Sequence, residues 1–127
     1  MHQQEHVVCK MDKIKNYYSL YIDTSENRGR GVFTDEDIPK DSLIEISPVI
    51  EITNTDENTV KYIYLSSENT KKYLSLGYAG LYNHSDNENV FTKVDVETDT
   101  IRVTSKRDIK RGEELFINYG YRLDYFV

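Results

Sequence analysis

Three clusters carry the residue types that do chemistry: Gly29-Arg30-Gly31, then Leu81-Tyr82-Asn83-His84-Ser85, then Gly112-Glu113-Glu114-Leu115 leading to Asn118-Tyr119-Gly120. A Gly-x-Gly turn permits close backbone approach to a ligand. Without a following helix it is not the dinucleotide fingerprint, and phosphate cradling is not expected. His84 offers a general base, or a metal ligand together with His2 or His6. Those two lie in a polar N-terminal arm with no spacing that ties them into a site, so no metal is expected. A histidine flanked by Asn and Ser in a turn is more often held by hydrogen bonds, its imidazole pinning the loop, and Asn83 alone reads as an Asx-type turn. Glu113 and Glu114 are adjacent and face apart on an extended chain, which does not suit glycosidase chemistry. Tyr119, directly before Gly120 at a strand end, is either a core aromatic or a hydroxyl aimed into a cleft, and its spacing leaves both open. Cys9 is the single cysteine and has no His or basic partner beside it. It reads as an ordinary thiol, unable to close an internal disulfide or supply a zinc site of Cys-x-x-Cys spacing.

The elements that must position these clusters follow an apolar period of two more than one of 3.6. A first strand is expected at Tyr17 to Ile22, then a glycine turn at Asn27 to Gly31 before Val32 and Phe33, and a proline turn at Asp37 to Asp41. Leu43 to Ile52 reads as an extended run that Pro48, lacking an N–H, marks as an edge or a bend. Thr55 or Asp56 caps the one expected helix, which contains Val60, Ile63, Tyr64 and Leu65 at helical spacing. Val90 to Glu97 and Ile101 to Thr104 flank the turn Thr98-Asp99-Thr100 as a hairpin. Leu115 to Tyr119 makes the last strand, and an aromatic tail follows from Tyr121 to Val127. Asp37-Ile38-Pro39-Lys40-Asp41 and Asp108-Ile109-Lys110-Arg111-Gly112 echo one another, each an Asp-Ile, a basic turn and a strand. The expectation is a mostly β (α+β) single domain over residues 1–127, with its core at about 17–121 and a short tail at 121–127.

Composition limits the function classes. At 127 residues, 38% hydrophobic and 30% charged, the chain has room for one core. Sixteen Lys and Arg against 22 Asp and Glu give a net charge of −6 with no basic block. A phosphate-neutralising surface, and with it direct nucleic-acid binding, is not expected, and a basic partner suits the chain better. No apolar run has signal-peptide or membrane-span length, so a soluble intracellular protein is expected. Eleven tyrosines and no tryptophan fit half-buried strand faces, and also the wall of a wet pocket.

Arg30-Gly31-Val32-Phe33, Asn83-His84-Ser85 and Gly112-Glu113-Glu114-Leu115 with Tyr119-Gly120, in that order, resemble the SET domain of protein lysine methyltransferases. The resemblance runs from about residue 17 to 121 and is close to the minimal SET proteins of viruses and bacteria. It implies a β-clip type fold of small sheets in which the Asn-His-Ser segment and the segment ending in Tyr-Gly meet as a C-terminal pseudoknot, a topology that ordinary connection rules do not predict. It implies S-adenosylmethionine as cofactor and S-adenosylhomocysteine as product. Gly29, Arg30 and Gly31 match the turn that lies along the cofactor, Asn83 and His84 match the pair that holds it, and Tyr119 matches the tyrosine at the methyl-transfer centre, also touching cofactor. Tyr64, counted with Tyr119 as catalytic, is the candidate for the lysine channel or cofactor wall, and Tyr121 helps through its ring or hydroxyl.

Three departures qualify the match. The chain has no cysteine-rich segment after Gly120, so closure of the lysine channel falls to Tyr125, Phe126 or a partner subunit. Arg30 stands where small relatives often have an aromatic residue. Ile117 stands where an aromatic residue in some relatives influences how many methyls are added, and it is counted with Tyr64, Tyr121 and Tyr125 among substrate-binding candidates. The resulting expectation is a lysine N-methyltransferase acting on a basic protein such as a histone tail, in nucleus or cytoplasm, of a host cell if viral or bacterial, with a homodimer a reasonable assembly. A ribosomal or other lysine-rich protein satisfies the charge argument equally. The alternative is a catalytically silent SET-fold module that binds a basic peptide; loss of the tyrosine hydroxyl or of the Asn-His pair would favour it, and both are retained. Three ordered motifs arising by accident in a plain tyrosine-rich β domain carries little weight.

Overall fold

Alternating burial builds the sheets. In the strand Thr100–Ser105, Ile101 and Val103 are buried while Arg102 is exposed, and in its hairpin partner Val90–Asp95, Val90 and Val94 are buried while Phe91 and Lys93 face out. The computed structural model describes residues 14–26, 28–53, 62–65 and 71–120. Its strands in chain order are β1 (Lys15–Asn16), β2 (Leu20–Ser25), β3 (Gly29–Thr34), β4 (Leu43–Ile52), β5 (Ile63–Leu65), β6 (Lys72–Ser75), β7 (Asn83–His84), β8 (Val90–Asp95), β9 (Thr100–Ser105) and β10 (Glu114–Ile117), with a short 3-10 turn at Tyr78–Gly80. One sheet has the order β5-β6-β4-β9-β8, with β1 also on β4; the other has the order β2-β3-β10-β7.

The echo seen in the sequence is a local two-fold relation. Ile38 and Ile109 form a two-way backbone bridge, each amide donating to the other's carbonyl at 2.8 Å. The Lys40 amide donates to Asp108 Oδ1 and the Arg111 amide to Asp37 Oδ1, both at 2.8 Å. Asp41 and Gly112 both have positive φ, at 64° and 89°. β3 and β9 lead into these two turns, β4 and β10 lead out, and the pairings cross over: β3 with β10, β9 with β4. Two turns with one chemistry thereby tie the two sheets together.

Four expectations are corrected. The helix expected over Thr55 to Leu65 does not reach its C-terminal end, because Ile63, Tyr64 and Leu65 are β5, laddered on Leu74, Tyr73 and Lys72 of β6, while Tyr62 before them is in a 3-10 turn. Cross-strand pairing overrides a helical spacing that rested on a few residues; Thr55, Asp56 and Val60 lie outside the described residues. Pro48 sits in a central strand, not at an edge or a bend. Its carbonyl accepts from Leu76, so its missing N–H falls on that same side, where β1 has ended at Ile46 and β6 begins at Val49. The first strand of the β2-β3 pair starts at Leu20, since Tyr17 instead donates its amide to Ile44 at 2.9 Å. The last strand ends at Ile117, because the Tyr119 amide leaves the ladder for the His84 ring.

Candidate active site

The β2-β3 hairpin brings the glycine turn to a cavity of about 240 Å³ lined by Arg28, Gly29, Arg30, Tyr62, Gly80, Leu81, Tyr82, Asn83 and Tyr119. Gly29 has φ +74°, which favours glycine. Gly31 is a glycine for space: a Cβ there would run into the Glu114 carboxylate and lie 2.8 Å from Asn83 Nδ2. The Arg28 guanidinium lies over the Phe116 ring, 5.2 Å from its centroid.

β7 reaches this cavity through a parallel pairing with β10, Asn83 opposite Phe116 and His84 opposite Ile117. The two segments that the resemblance joined are thus neighbours, and Ser85 extends the contact by donating its amide to Ile117 at 3.0 Å. Asn83 Nδ2 donates to the Arg30 carbonyl at 3.0 Å and to Glu114 Oε2 at 2.8 Å. Ser25 Oγ donates to the other oxygen of Glu114 at 2.6 Å. Both Nδ2 hydrogens of Asn83 are thereby committed, and its Oδ1 is what it offers to a ligand. Asn89 clamps the same strand, donating Nδ2 to the Glu114 carbonyl at 2.8 Å and accepting the Phe116 amide at 2.7 Å.

His84 is a pin. Its Nδ1 accepts the Tyr119 amide at 2.9 Å, so its proton sits on Nε2, which faces Asp86 Oδ1 at 2.9 Å. Its ring lies 5.2 Å from that of Tyr119, and it does not line the cavity. The Tyr119 hydroxyl donates to the Tyr82 carbonyl at 3.2 Å. Tyr82 is buried and donates its own hydroxyl to Glu45 Oε1 at 3.0 Å. Burial pushes the Glu45 carboxyl above the usual carboxylate range, opposed by hydrogen bonds from Tyr82, Ser47 and the Ala79 and Tyr78 amides. Burial and the adjoining Glu45 hold the Tyr82 hydroxyl well above an ordinary phenol.

Of the residues expected at the site, Gly29, Arg30, Asn83 and Tyr119 line one cavity, and Gly31 and His84 support it from behind. Tyr64 does not line it. As part of β5 its side chain is buried, and its hydroxyl donates to the Ala79 carbonyl at 2.6 Å; Tyr62 lines the cavity instead. Ile117 is likewise in the core, 3% exposed. Tyr121 and Tyr125 lie outside the described residues. Arg28, Glu45, Tyr82, Asn89 and Glu114 were missed as site residues. Among the described residues no group of three or more His, Cys, Asp or Glu side chains is arranged to hold a metal, and no helix is long and apolar enough to cross a membrane.

Residues 29–120, which contain all of this arrangement except Ser25 and Arg28, match the SET domain family, and the chain belongs to that family of S-adenosylmethionine-dependent protein lysine methyltransferases. A Schizosaccharomyces pombe relative, "Histone-lysine N-methyltransferase, H3 lysine-37 specific", is 40% identical over 111 residues, spanning 82% of this chain and 75% of the relative. The crystal structure of a Plasmodium falciparum candidate histone methyltransferase superposes with a TM-score of 0.69 at 35% identity, over 82% of this chain and 95% of that one. The ctPRC2 structure bound to S-adenosylmethionine matches with a TM-score of 0.60 at 27% identity, over 81% of this chain and 15% of that one.

Proposed function

We propose that the protein methylates a lysine of a basic protein substrate, the histone H3 tail foremost, with Tyr119, Asn83, Arg28, Arg30 and Gly29 as the residues that meet cofactor and substrate. The observation that carries this is Tyr119, its hydroxyl anchored on a backbone carbonyl, in the lining of one cavity with Asn83 and two arginines. The lining fits the cofactor's amino-acid part: guanidinium groups suit a carboxylate, Asn83 Oδ1 suits an ammonium, and Tyr62 adds an aromatic face. S-adenosylmethionine, when bound, supplies an electrophilic methyl group on a sulfonium and leaves as S-adenosylhomocysteine.

The chain's own work is to orient and desolvate. A lysine with an ordinary pKa of about 10.4 must be neutral to attack. Among the described residues the cavity lining has no carboxylate and no imidazole. Desolvation in an apolar channel, together with the sulfonium charge of a bound cofactor, would disfavour the ammonium form and make a dedicated base unnecessary. Tyr119, its proton held by the Tyr82 carbonyl, presents its oxygen as an acceptor that orients the neutral amine. Main-chain carbonyls add weak C–H···O contacts to a polarised methyl group.

For substrate, a chain of net charge −6 attracts a lysine-rich tail and speeds encounter. The S. pombe relative's name makes lysine 37 of H3 the first site to examine, and a histone substrate makes the nucleus the compartment. Calorimetric titration with S-adenosylmethionine and S-adenosylhomocysteine tests the cofactor half without knowledge of the substrate. One-site binding weakened by Asn83→Ala is expected; no binding by a folded sample would refute it.

A further inference from the structure

Glu45 is fully buried in a central strand, at 0% exposure. Such a group is a poor source of stability, since desolvation opposes its hydrogen bonds. What it holds is one segment. Its Oε1 accepts the Tyr82 hydroxyl at 3.0 Å and its Oε2 the Ala79 amide at 3.4 Å. The segment passes so close that a Cβ at Gly77 would collide with Oε2 and lie 2.8 Å from Ser47 Cβ. The segment, residues 77–82, is thus held to Glu45 through the Tyr78 and Ala79 amides at one end and the Tyr82 hydroxyl at the other. The same segment forms the site: Gly80, Leu81 and Tyr82 line the cavity described above. Leu81 also lines a second cavity of about 230 Å³ with Ile14, Asn16, Gly77 and Tyr78. The Tyr82 carbonyl accepts the Tyr119 hydroxyl at 3.2 Å.

We propose that Glu45 is a positioning residue for methyl transfer: through the Tyr82 hydroxyl and the Ala79 amide it fixes the Tyr82 carbonyl on which the Tyr119 hydroxyl rests. The inference rests on the reading of Tyr119 as the residue at the methyl-transfer centre. It assigns Glu45 an effect on rate with little effect on cofactor affinity, because it contacts the Tyr82 hydroxyl and the Ala79 amide and not Asn83 or the arginines offered to the cofactor.

Tyr82→Phe carries the test, since it removes one oxygen from the core and leaves the ring in place; Glu45→Gln and the double variant complete a cycle. With H3 and S-adenosylmethionine, well below the melting temperature, kcat is expected to fall about tenfold in each single variant and no further in the double. KM for S-adenosylmethionine should stay within about twofold, whereas a merely structural role would lower the melting temperature and spare kcat. The second readout needs no substrate: with tyrosine labelled at Cζ and the Tyr119 resonance assigned by Tyr119→Phe, that resonance is expected to shift in Tyr82→Phe. Wild-type kcat in Tyr82→Phe, or an unmoved Tyr119 signal, overturns the proposal. A wild-type protein silent on H3 counts against the substrate reading, and the Tyr119 signal then decides the role of Glu45 by itself.

Discussion

Replacing Gly31 with alanine is expected to unseat Asn83. The added methyl runs into the Glu114 carboxylate and comes within 2.8 Å of Asn83 Nδ2, and both are side-chain ends that can swing away. The cost is therefore the hydrogen bonds they leave, the 2.8 Å bond from Asn83 and the 2.6 Å bond from Ser25, both to a carboxylate. Bonds to charged groups contribute about 1.5–3 kcal/mol each, and a half-buried carboxylate regains part of that from water, which leaves about 2 kcal/mol. For a chain of this size that is roughly 6–12 °C in melting temperature. The displaced amide also ceases to present Oδ1 to the cofactor, so affinity for S-adenosylhomocysteine should fall about tenfold or more, where tenfold is about 1.4 kcal/mol. Gly112→Ala is the control: its φ of 89° makes alanine strained, but nothing lies within 4 Å of the new Cβ. It should lower stability by about 1–2 kcal/mol and leave cofactor affinity unchanged. Scanning calorimetry and titration calorimetry on both variants give the comparison. A Gly31→Ala protein that keeps wild-type cofactor affinity would refute the argument that this glycine serves the Asn83–Glu114 pair.

Tyr119→Phe should keep the fold and most of the cofactor affinity while lowering kcat about a hundredfold, and unchanged turnover would remove the hydroxyl from the mechanism. Asn83→Ala should weaken S-adenosylhomocysteine binding about tenfold by titration calorimetry, and full affinity would undo the role given to Oδ1. Glu45 predicts a pH effect. Its raised pKa means that the folded state binds a proton more readily than the unfolded one, so its contribution to stability falls as pH rises from the ordinary carboxylate range through the raised value. Melting temperatures of wild type and Glu45→Gln between about pH 4 and about pH 7 should therefore shift in the variant's favour as pH rises. A constant gap would mean that Glu45 titrates as it does in water.

The strands of the hairpin Val90–Ser105 were legible because apolar and polar residues alternate there on a half-buried face. The Asn83, His84 and Tyr119 cluster was legible through family resemblance, since no local pattern says that β7 pairs with β10. Glu113 and Glu114 diverge as neighbours on a strand should: Glu113 caps the Lys110 amide at 2.7 Å, and Glu114 turns to Asn83 and Ser25. What the sequence hid was the purpose of Glu114, whose partners are 31 and 89 positions away. Glu45 did leave a signal, a carboxylate in phase with Ser47 and Val49 in a mostly apolar run. The register irregularity between Leu43 and Glu45, which buries Ile44 and Glu45 together, blurred that phase. Tyr64 was chosen by its distance along the chain from the Asn-His pair, which says nothing of the β5 pairing that buries its ring and sets its hydroxyl on the Ala79 carbonyl.

The most direct test of the central claim is mass spectrometry of recombinant histone H3 incubated with the protein and S-adenosylmethionine, with the modified residue mapped by fragmentation. The account predicts methyl groups on an H3 tail lysine, lysine 37 first among them, and their loss with Tyr119→Phe. A folded protein that binds S-adenosylhomocysteine yet leaves every H3 lysine unmodified would contradict the proposed substrate. Methylation that persists in Tyr119→Phe would contradict the proposed mechanism.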